Sequence, residues 1–157
     1  MRRILSQGLV LAAGALCLPA VMSPVPTRNP PARDYAGDPR LQSLRKFFAD
    51  FGCPALEYAP AFLEAADDYG LDWRLLPGIS FIESTGGKAA WRNNFFGWDS
   101  GRAEFASPAA GIHAVAYFLA HSGRYKRKDL GQKLRAYNPA PGYAVKVESI
   151  MRRIGAS

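Results

Sequence analysis

The sequence predicts one mainly helical (α+β) domain with a single small β element near its middle. Three observations support this fold class. Apolar residues recur at three- and four-residue steps from Arg40 onward, and typical helix-starting and helix-ending residues separate these stretches. One aromatic-rich segment, residues 93–105, has no helical pattern. The length of 157 residues suits one domain, and the 48% hydrophobic content is too high for a disordered chain.

Residues 1–22 have the layout of a secretory signal peptide. Arg2 and Arg3 precede eleven uncharged residues, 8–18, and Pro19 ends this apolar run. A membrane-spanning helix needs about twenty apolar residues, so the run is too short to span. We expect an exported protein of the periplasm or the extracellular space, with no stable membrane insertion after signal removal. Lipid attachment through Cys17 and an uncleaved anchor are the alternatives.

Residues 23–39 contain five prolines and no apolar periodicity, which predicts an extended, disordered tether. The folded domain is then expected to comprise residues 40–157. The formal net charge of +7 favours an acidic polymer or an anionic surface as a partner. The charge alone does not distinguish between these partners.

The first three helices are predicted from their end signals. The first begins at Arg40 and ends at Gly52, the second runs from Pro60 to Gly70, and the third begins after Asp72 as its N-cap. Pro77 either kinks the third helix or marks its first turn. The residues expected to face the core are Leu41, Leu44, Phe48, Phe51, Phe62, Leu63, Ala66, Tyr69, Leu75, Leu76, Ile79 and Ile82.

Three further helices follow an irregular middle segment. Residues 93–105 read NNFFGWDSGRAEF, with a turn signal at residues 99–101, and they predict a small hairpin or an irregular lobe. Ser107 and Asp129 are N-caps for the fourth and fifth helices, and the sixth spans residues 142–154. Their expected inward residues are Ile112, Val115, Ala116, Leu119, Leu130, Leu134, Val145, Val147, Ile150 and Ile154.

Glu83 is the main candidate for a catalytic residue. It lies at the end of the third helix, where the helix dipole is negative, and apolar residues precede it. Both features disfavour the charged form of a carboxyl group. A carboxyl that keeps its proton near neutral pH suits a general acid. The alternative is a solvated glutamate at a frayed helix end.

Glu83-Ser84, then Gly86-Gly87-Lys88 and Asn93-Asn94-Phe95-Phe96-Gly97, resemble motifs of the lysozyme-like superfamily that cleaves peptidoglycan glycan strands. The pattern Asn-Asn-x-Phe-Gly is similar to the glucosaminidases of glycoside hydrolase family 73. Tyr137-Asn138-Pro139 and Tyr143 resemble elements of the lytic transglycosylases. The resemblance spans roughly residues 58–154, and it implies a lysozyme-like helical domain with a small β-hairpin lobe.

By this resemblance, Glu83 is the general acid. Tyr137 is expected across the cleft, where it hydrogen-bonds the carboxyl or the sugar, and Glu104 is the candidate second carboxylate. The residues expected to bind the sugar are Ser84, Asn94, Phe95, Phe96, Gly97, Trp98, Asn138 and Tyr143. Core packing is the alternative for the aromatic residues, and turn formation is the alternative for the asparagines. The implied substrate is the peptidoglycan glycan strand, with no cofactor, no metal ion and a monomeric enzyme.

The reaction type depends on a second carboxylate. An inverting hydrolase needs one roughly 6.5–9.5 Å from the general acid to activate water, and Asp99 and Glu104 are the acidic residues available in the predicted lobe. A lytic transglycosylase needs none, because the 6-hydroxyl of the muramic acid attacks. The sequence favours an endo-β-N-acetylglucosaminidase through its Asn-Asn-x-Phe-Gly motif, with the lytic transglycosylase as the alternative.

Two non-catalytic functions are weaker alternatives. A wall-binding domain would keep the groove, the aromatic residues and the basic charge, with Glu83 inert. Nucleic-acid binding through the basic run at residues 124–128 is not expected, because the run matches no docking motif. A metal site is not expected either, since the chain has only two cysteines and two histidines, and His113 and His121 are eight residues apart.

Overall fold

The computed structural model describes residues 33–157, and this part of the chain is mainly helical, which confirms the predicted helical class. The predicted signal peptide, Cys17 and most of the predicted tether lie outside the described residues. No helix within residues 33–157 is long and apolar enough to cross a membrane. The helices are α1 (Pro39–Asp50), a short 3-10 helix (Pro54–Tyr58), α2 (Ala59–Tyr69), α3 (Leu75–Ser84), α4 (Pro108–His121), α5 (Leu130–Tyr137) and α6 (Tyr143–Gly155).

Side-chain caps start three of these helices. Asp38 accepts the amide N–H of Arg40 at 2.8 Å, and Ser107 accepts that of Ala110 at 3.1 Å. Asp129 begins α5 with a complete capping box. Such a cap stabilises a helix by about 1 kcal/mol because it satisfies an amide that has no partner within the helix.

The start of α3 differs from the prediction. The carboxylate of Asp72 accepts the backbone amide of Arg74 at 2.9 Å and its side chain at 2.9 Å, and the helix begins only at Leu75. Asp72 therefore orders the turn before the helix and is not its N-cap. Pro77 lies in the first turn of α3, which is one of the two predicted alternatives for it, and a proline is tolerated there.

The hydrophobic core lies between two packed helix pairs, α2 with α4 and α3 with α6, and α1 closes one side. Val145 was predicted to face this core, but its side chain is 64% exposed. The apolar residues of α6 that are buried are Tyr143, Val147, Ile150, Met151 and Ile154.

Helices α3 and α6 are antiparallel and approach closely at Gly78. A Cβ atom at Gly78 would lie 3.1 Å from Cγ of Met151 and 3.4 Å from Cγ1 of Val147. A side chain at this position would therefore require the Met151 side chain to shift. The small residue therefore allows the C-terminal end of α3 to meet the first turn of α6, where Tyr143 lies.

The end of the predicted tether belongs to the folded domain. Tyr35 is 7% exposed, and its hydroxyl donates to Asp67 on α2 at 3.0 Å. Arg33 forms an ion pair with Asp68 at 2.8 Å. The domain therefore begins before residue 40, because a buried aromatic ring and two polar contacts attach residues 33–38 to α2.

The segment between α3 and α4 is a series of turns and not a hairpin. Within residues 33–157, strand-like pairing is limited to one antiparallel bridge between Trp91 and Asn94. Arg92, Asn93, Asp99 and Ser100 have left-handed backbone conformations, with φ between 52° and 60°. Such residues reverse the chain and interrupt the alternation that a strand needs. Of the two predicted forms, the irregular one is therefore found.

The burial of Tyr35 leads to a stability prediction. Tyr35→Ala should lower the free energy of unfolding by about 2–4 kcal/mol, since it removes a buried ring. Tyr35→Phe should cost about 1 kcal/mol through the lost hydrogen bond. Urea unfolding followed by circular dichroism measures both. Arg33→Ala removes only the exposed ion pair and should change stability less than Tyr35→Ala does. Equal stability of all four proteins would instead support a disordered tether that extends to residue 39.

Candidate functional site

Glu83 lies in the last turn of α3, half-buried, and Tyr143 holds its carboxylate. The hydroxyl of Tyr143 donates to Oε1 of Glu83 at 2.7 Å. Tyr143 is the first residue of α6 and is itself buried. The bond joins the end of one helix to the start of its antiparallel neighbour, so the carboxylate has a defined orientation. The sequence had assigned this contact to Tyr137.

Tyr137 lies beside Tyr143 and contacts the loop. The two rings stack with centroids 6.1 Å apart and an interplanar angle of 8°. The hydroxyl of Tyr137 donates to the carbonyl oxygen of Phe96 at 2.5 Å. Tyr137 therefore holds the loop backbone next to Gly97, and it reaches Glu83 only through its neighbours.

Both tyrosines favour the protonated form of their hydroxyl groups. Burial is the main cause, and the negative charge of Glu83 adds to it, so the pKa values of Tyr137 and Tyr143 lie above the ordinary value. Each hydroxyl therefore acts as a hydrogen-bond donor, Tyr143 to the carboxylate and Tyr137 to the peptide carbonyl.

Ser84 connects α3 to the following loop. Its buried hydroxyl lies 2.8 Å from the carbonyl oxygen of Phe95 and 3.1 Å from that of Ser80, and it accepts the amide of Gly87 at 3.0 Å. The single hydroxyl proton is directed best to the closer acceptor, Phe95. Ser84 was predicted to bind the sugar, but the structure gives it an internal role, since it is 4% exposed.

Asn94 holds the loop together from inside. Its amide nitrogen donates to the carbonyls of Trp98 at 3.0 Å and Ala103 at 3.2 Å, and its oxygen accepts the amide of Trp98 at 2.9 Å. Asn93 donates to the carbonyl of Phe105 at 2.8 Å. The two asparagines thus satisfy backbone groups that a hairpin would have paired. Asn94 is buried, so it shapes the site without facing it.

Gly97 lies directly against Glu83. A Cβ atom at this position would be 3.0 Å from Oε2 of the carboxylate, and the backbone has φ of +57°. Both facts favour glycine, because a side chain would crowd Oε2 and strain the backbone. Tyr143 and Gly97 therefore border opposite oxygens of the same carboxylate.

The aromatic residues of the motif divide into core and surface. Phe95 and Phe96 are 4% and 1% exposed, so neither ring has a face for a sugar, and the expected stacking on Phe96 is not possible in this structure. Trp98 is half-buried and stacks on Phe118 of α4, with centroids 5.6 Å apart and an angle of 22°. It also contacts the ring of Tyr137 at 5.7 Å. Trp98 is therefore the aromatic residue of the motif that reaches the surface.

The predicted second carboxylate, Glu104, is exposed and has an arginine as its partner. The side chain of Glu104 is 67% exposed and pairs with Arg92 at 3.5 Å. Asp99 pairs with Arg102 at 2.7 Å and is also largely exposed. Asn138 ends α5, and its side-chain oxygen accepts the amide of Ala140 at 3.0 Å, so it orders the turn between α5 and α6.

Metal ligands and thiols do not contribute to the site. Within the described residues, no three histidine, cysteine, aspartate or glutamate side chains are placed to hold a metal ion. Cys53 is a buried free thiol, and burial raises its pKa. A Cβ atom at Gly86 would lie 2.7 Å from Cβ of Cys53, so the cysteine packs tightly against the turn after α3.

No protein-family model matches this chain, and no curated protein is significantly similar to it. The chemistry of the site therefore has to follow from its geometry. The geometry presents one oriented carboxylate, Glu83, bordered by a protonated tyrosine, a glycine and a path of aromatic rings. The sequence did not reveal Phe118 as a site residue. The available signal was the lack of charged residues in α4.

The role of Ser84 leads to the second prediction. Ser84→Ala should lower the free energy of unfolding by about 1–3 kcal/mol, because it leaves the buried carbonyl of Phe95 and the amide of Gly87 without a partner. Thermal or urea unfolding measures the change. Ser43→Ala, which removes an exposed hydrogen bond to the chain terminus, is the matched control and should cost less than about 0.5 kcal/mol. If the two variants were equally stable, Ser84 would not anchor the loop.

Proposed function

We propose that this protein is an exported glycosidase that cleaves the β-1,4-linked glycan strand of peptidoglycan, with Glu83 as general acid. The observation that carries the proposal is the single carboxylate at the end of α3, oriented by Tyr143 and bordered by Gly97. The resemblance of the motifs at residues 83–97 and 137–143 to the lysozyme-like superfamily supplies the substrate class.

The acid step requires a proton on the Glu83 oxygen that Tyr143 does not occupy. In the proposed reaction, Oε2 gives this proton to the glycosidic oxygen as the bond from that oxygen to C1 breaks, at the muramic acid in a lytic transglycosylase and at N-acetylglucosamine in a glucosaminidase. The leaving sugar departs with a free hydroxyl group, and Glu83 is left as a carboxylate. The hydrogen bond from Tyr143 to Oε1 stabilises this negative charge.

The second half of the reaction decides between the two enzyme types. Asp99 and Glu104 are largely exposed, and their side-chain partners are Arg102 and Arg92, not the groups around Glu83. This observation favours a lytic transglycosylase over the glucosaminidase that the sequence motif favours. Glu83 then takes the proton of the C6 hydroxyl as its oxygen attacks C1, which gives a 1,6-anhydro product and consumes no water.

Digestion of purified peptidoglycan by the full chain tests the proposal. Wild-type protein should release products with 1,6-anhydro-muramic ends, identified by mass spectrometry. Glu83→Gln should lower the rate at least about a hundredfold, because an amide cannot act as the acid, while Glu104→Gln should leave it unchanged. Reducing N-acetylglucosamine ends, together with a loss on Glu104→Gln, would support the hydrolase. Wall binding without any release would leave a non-catalytic wall-binding domain.

A comparison of the two tyrosines tests the site geometry. Tyr143→Phe should lower the cleavage rate about tenfold, because it removes a hydrogen bond to the charged carboxylate. Tyr137→Phe should lower the rate less and should reduce the free energy of unfolding by about 1–3 kcal/mol, because it leaves the carbonyl of Phe96 unpaired. Parallel rate and urea-unfolding measurements separate the two effects. A larger rate loss for Tyr137→Phe would support the role predicted for Tyr137 from the sequence.

A further inference from the structure

Helix α4 contains no lysine, arginine, aspartate or glutamate in its fourteen residues. A helix without charged residues is normally buried on all sides, but α4 is buried along one side only. The buried residues are Gly111, Ile112, Ala114, Val115, Ala116 and Leu119. The other side carries His113, Tyr117, Phe118 and His121, which are half-buried or exposed.

These four residues and Tyr69 of α2 form a continuous aromatic surface, which we call the α4 ledge. The ring of Tyr69 lies 5.9 Å from Tyr117 and 5.8 Å from His121, and Tyr117 lies 4.9 Å from His121. Phe118 contacts Tyr117 at 5.9 Å. Glu64 of α2 lies beside it, with a carboxylate oxygen 3.7 Å from Nε2 of His113. An aromatic surface on the outside of a helix that itself has no charged residue is a candidate binding surface.

The α4 ledge is continuous with the site around Glu83. Phe118 stacks on Trp98, Trp98 contacts Tyr137, and Tyr137 stacks on Tyr143, which bonds the carboxylate. The successive ring centroids lie 5.6, 5.7 and 6.1 Å apart. Tyr143 at the inner end is buried, whereas Trp98 and Phe118 are half-buried, and Trp98 directly follows Gly97, which lies against Glu83. The path therefore leads from the carboxylate towards the outer end of α4.

The chemistry of the α4 ledge suits a sugar polymer. Four of its five rings carry a polar group. Tyr69 and Tyr117 have phenol hydroxyls, and His113 and His121 have imidazole nitrogens. Within residues 33–157, no side-chain hydrogen bond occupies the hydroxyl of Tyr69 or Tyr117. A sugar ring offers an apolar C–H face for stacking and hydroxyls for such polar groups.

Two other occupants fit less well. A helix that lies on a membrane surface needs lysine or arginine along its polar side, and α4 has neither. A stable contact with a second copy buries about 20–30 residues on each side, whereas the α4 ledge has five. The occupant that its size, its polar groups and its continuity with Glu83 favour is the glycan strand itself.

We propose that the α4 ledge binds the part of a peptidoglycan glycan strand that extends beyond the bond being cut, so that the protein holds long strands more tightly than short ones. This inference rests on the proposed function, because the glycan is the substrate assigned to Glu83. The ledge residues bind the strand and take no part in the chemical step.

Binding of peptide-free glycan strands to the full chain tests the inference. Glu83→Gln is present in every protein, so that no strand is cut during the measurement. Adding Tyr117→Ala and His121→Ala together should weaken binding of long strands about tenfold and leave binding of a tetrasaccharide unchanged. Val145→Ala, a substitution at an exposed apolar residue of α6, is the control and should change neither. Equal urea midpoints establish that all variants are folded.

Several outcomes would overturn the inference. One is an unchanged affinity of the double variant for long strands. Another is an equal loss of affinity for long strands and for the tetrasaccharide, because an equal loss would place the effect at the catalytic centre. Loss of self-association or of binding to anionic vesicles, with glycan binding intact, would assign the α4 ledge to a second copy or to a membrane. Cleavage by the protein without Glu83→Gln is measured separately. A length-dependent binding loss without any cleavage would therefore refute the proposed enzyme and retain the α4 ledge.

Discussion

The close approach of α3 and α6 at Gly78 determines where the candidate acid lies. Because Gly78 has no side chain, Met151 and Val147 pack directly onto the backbone of α3. The two helices are antiparallel, so this contact brings the end of α3 to the beginning of α6, and Tyr143 meets Glu83 there. A side chain at position 78 would have to displace Met151, and any shift of α6 that followed would act on the 2.7 Å hydrogen bond from Tyr143 to Glu83.

Adjacent residues at the end of α3 serve different purposes because successive helical residues point about 100° apart. Glu83 points towards Tyr143 of α6, while Ser84 points inwards and bonds the carbonyl of Phe95. The Glu-Ser pair is therefore one catalytic candidate and one structural anchor. The anchor fixes the loop from which Gly97 approaches the carboxylate, so the stability of the loop and the geometry of the site depend on the same turn.

The sequence predicted the helices well, because periodicity and capping are local properties. Ser107 and Asp129 cap the helices that they were expected to cap, and Glu83 lies at the end of α3. The tyrosine contacts that the sequence did not predict depend on residues that are distant in sequence. Whether Tyr137 or Tyr143 reaches Glu83 depends on how α5 and α6 pack, and the attachment of Tyr35 depends on Asp67. The asparagine side chains that replace hairpin pairing give no alternating pattern to detect.

Asn94 joins the carboxylate and the aromatic path in one rigid unit. Its buried amide group bonds both the N–H and the carbonyl of Trp98. Gly97 precedes Trp98 directly, so the same constraint places the glycine on Glu83 and the indole on Phe118. Replacement of Asn94 would therefore disturb both contacts at once, although Asn94 touches neither the carboxylate nor the α4 ledge. This explains how a short motif of asparagine, phenylalanine and glycine can shape a site whose candidate acid lies on another element.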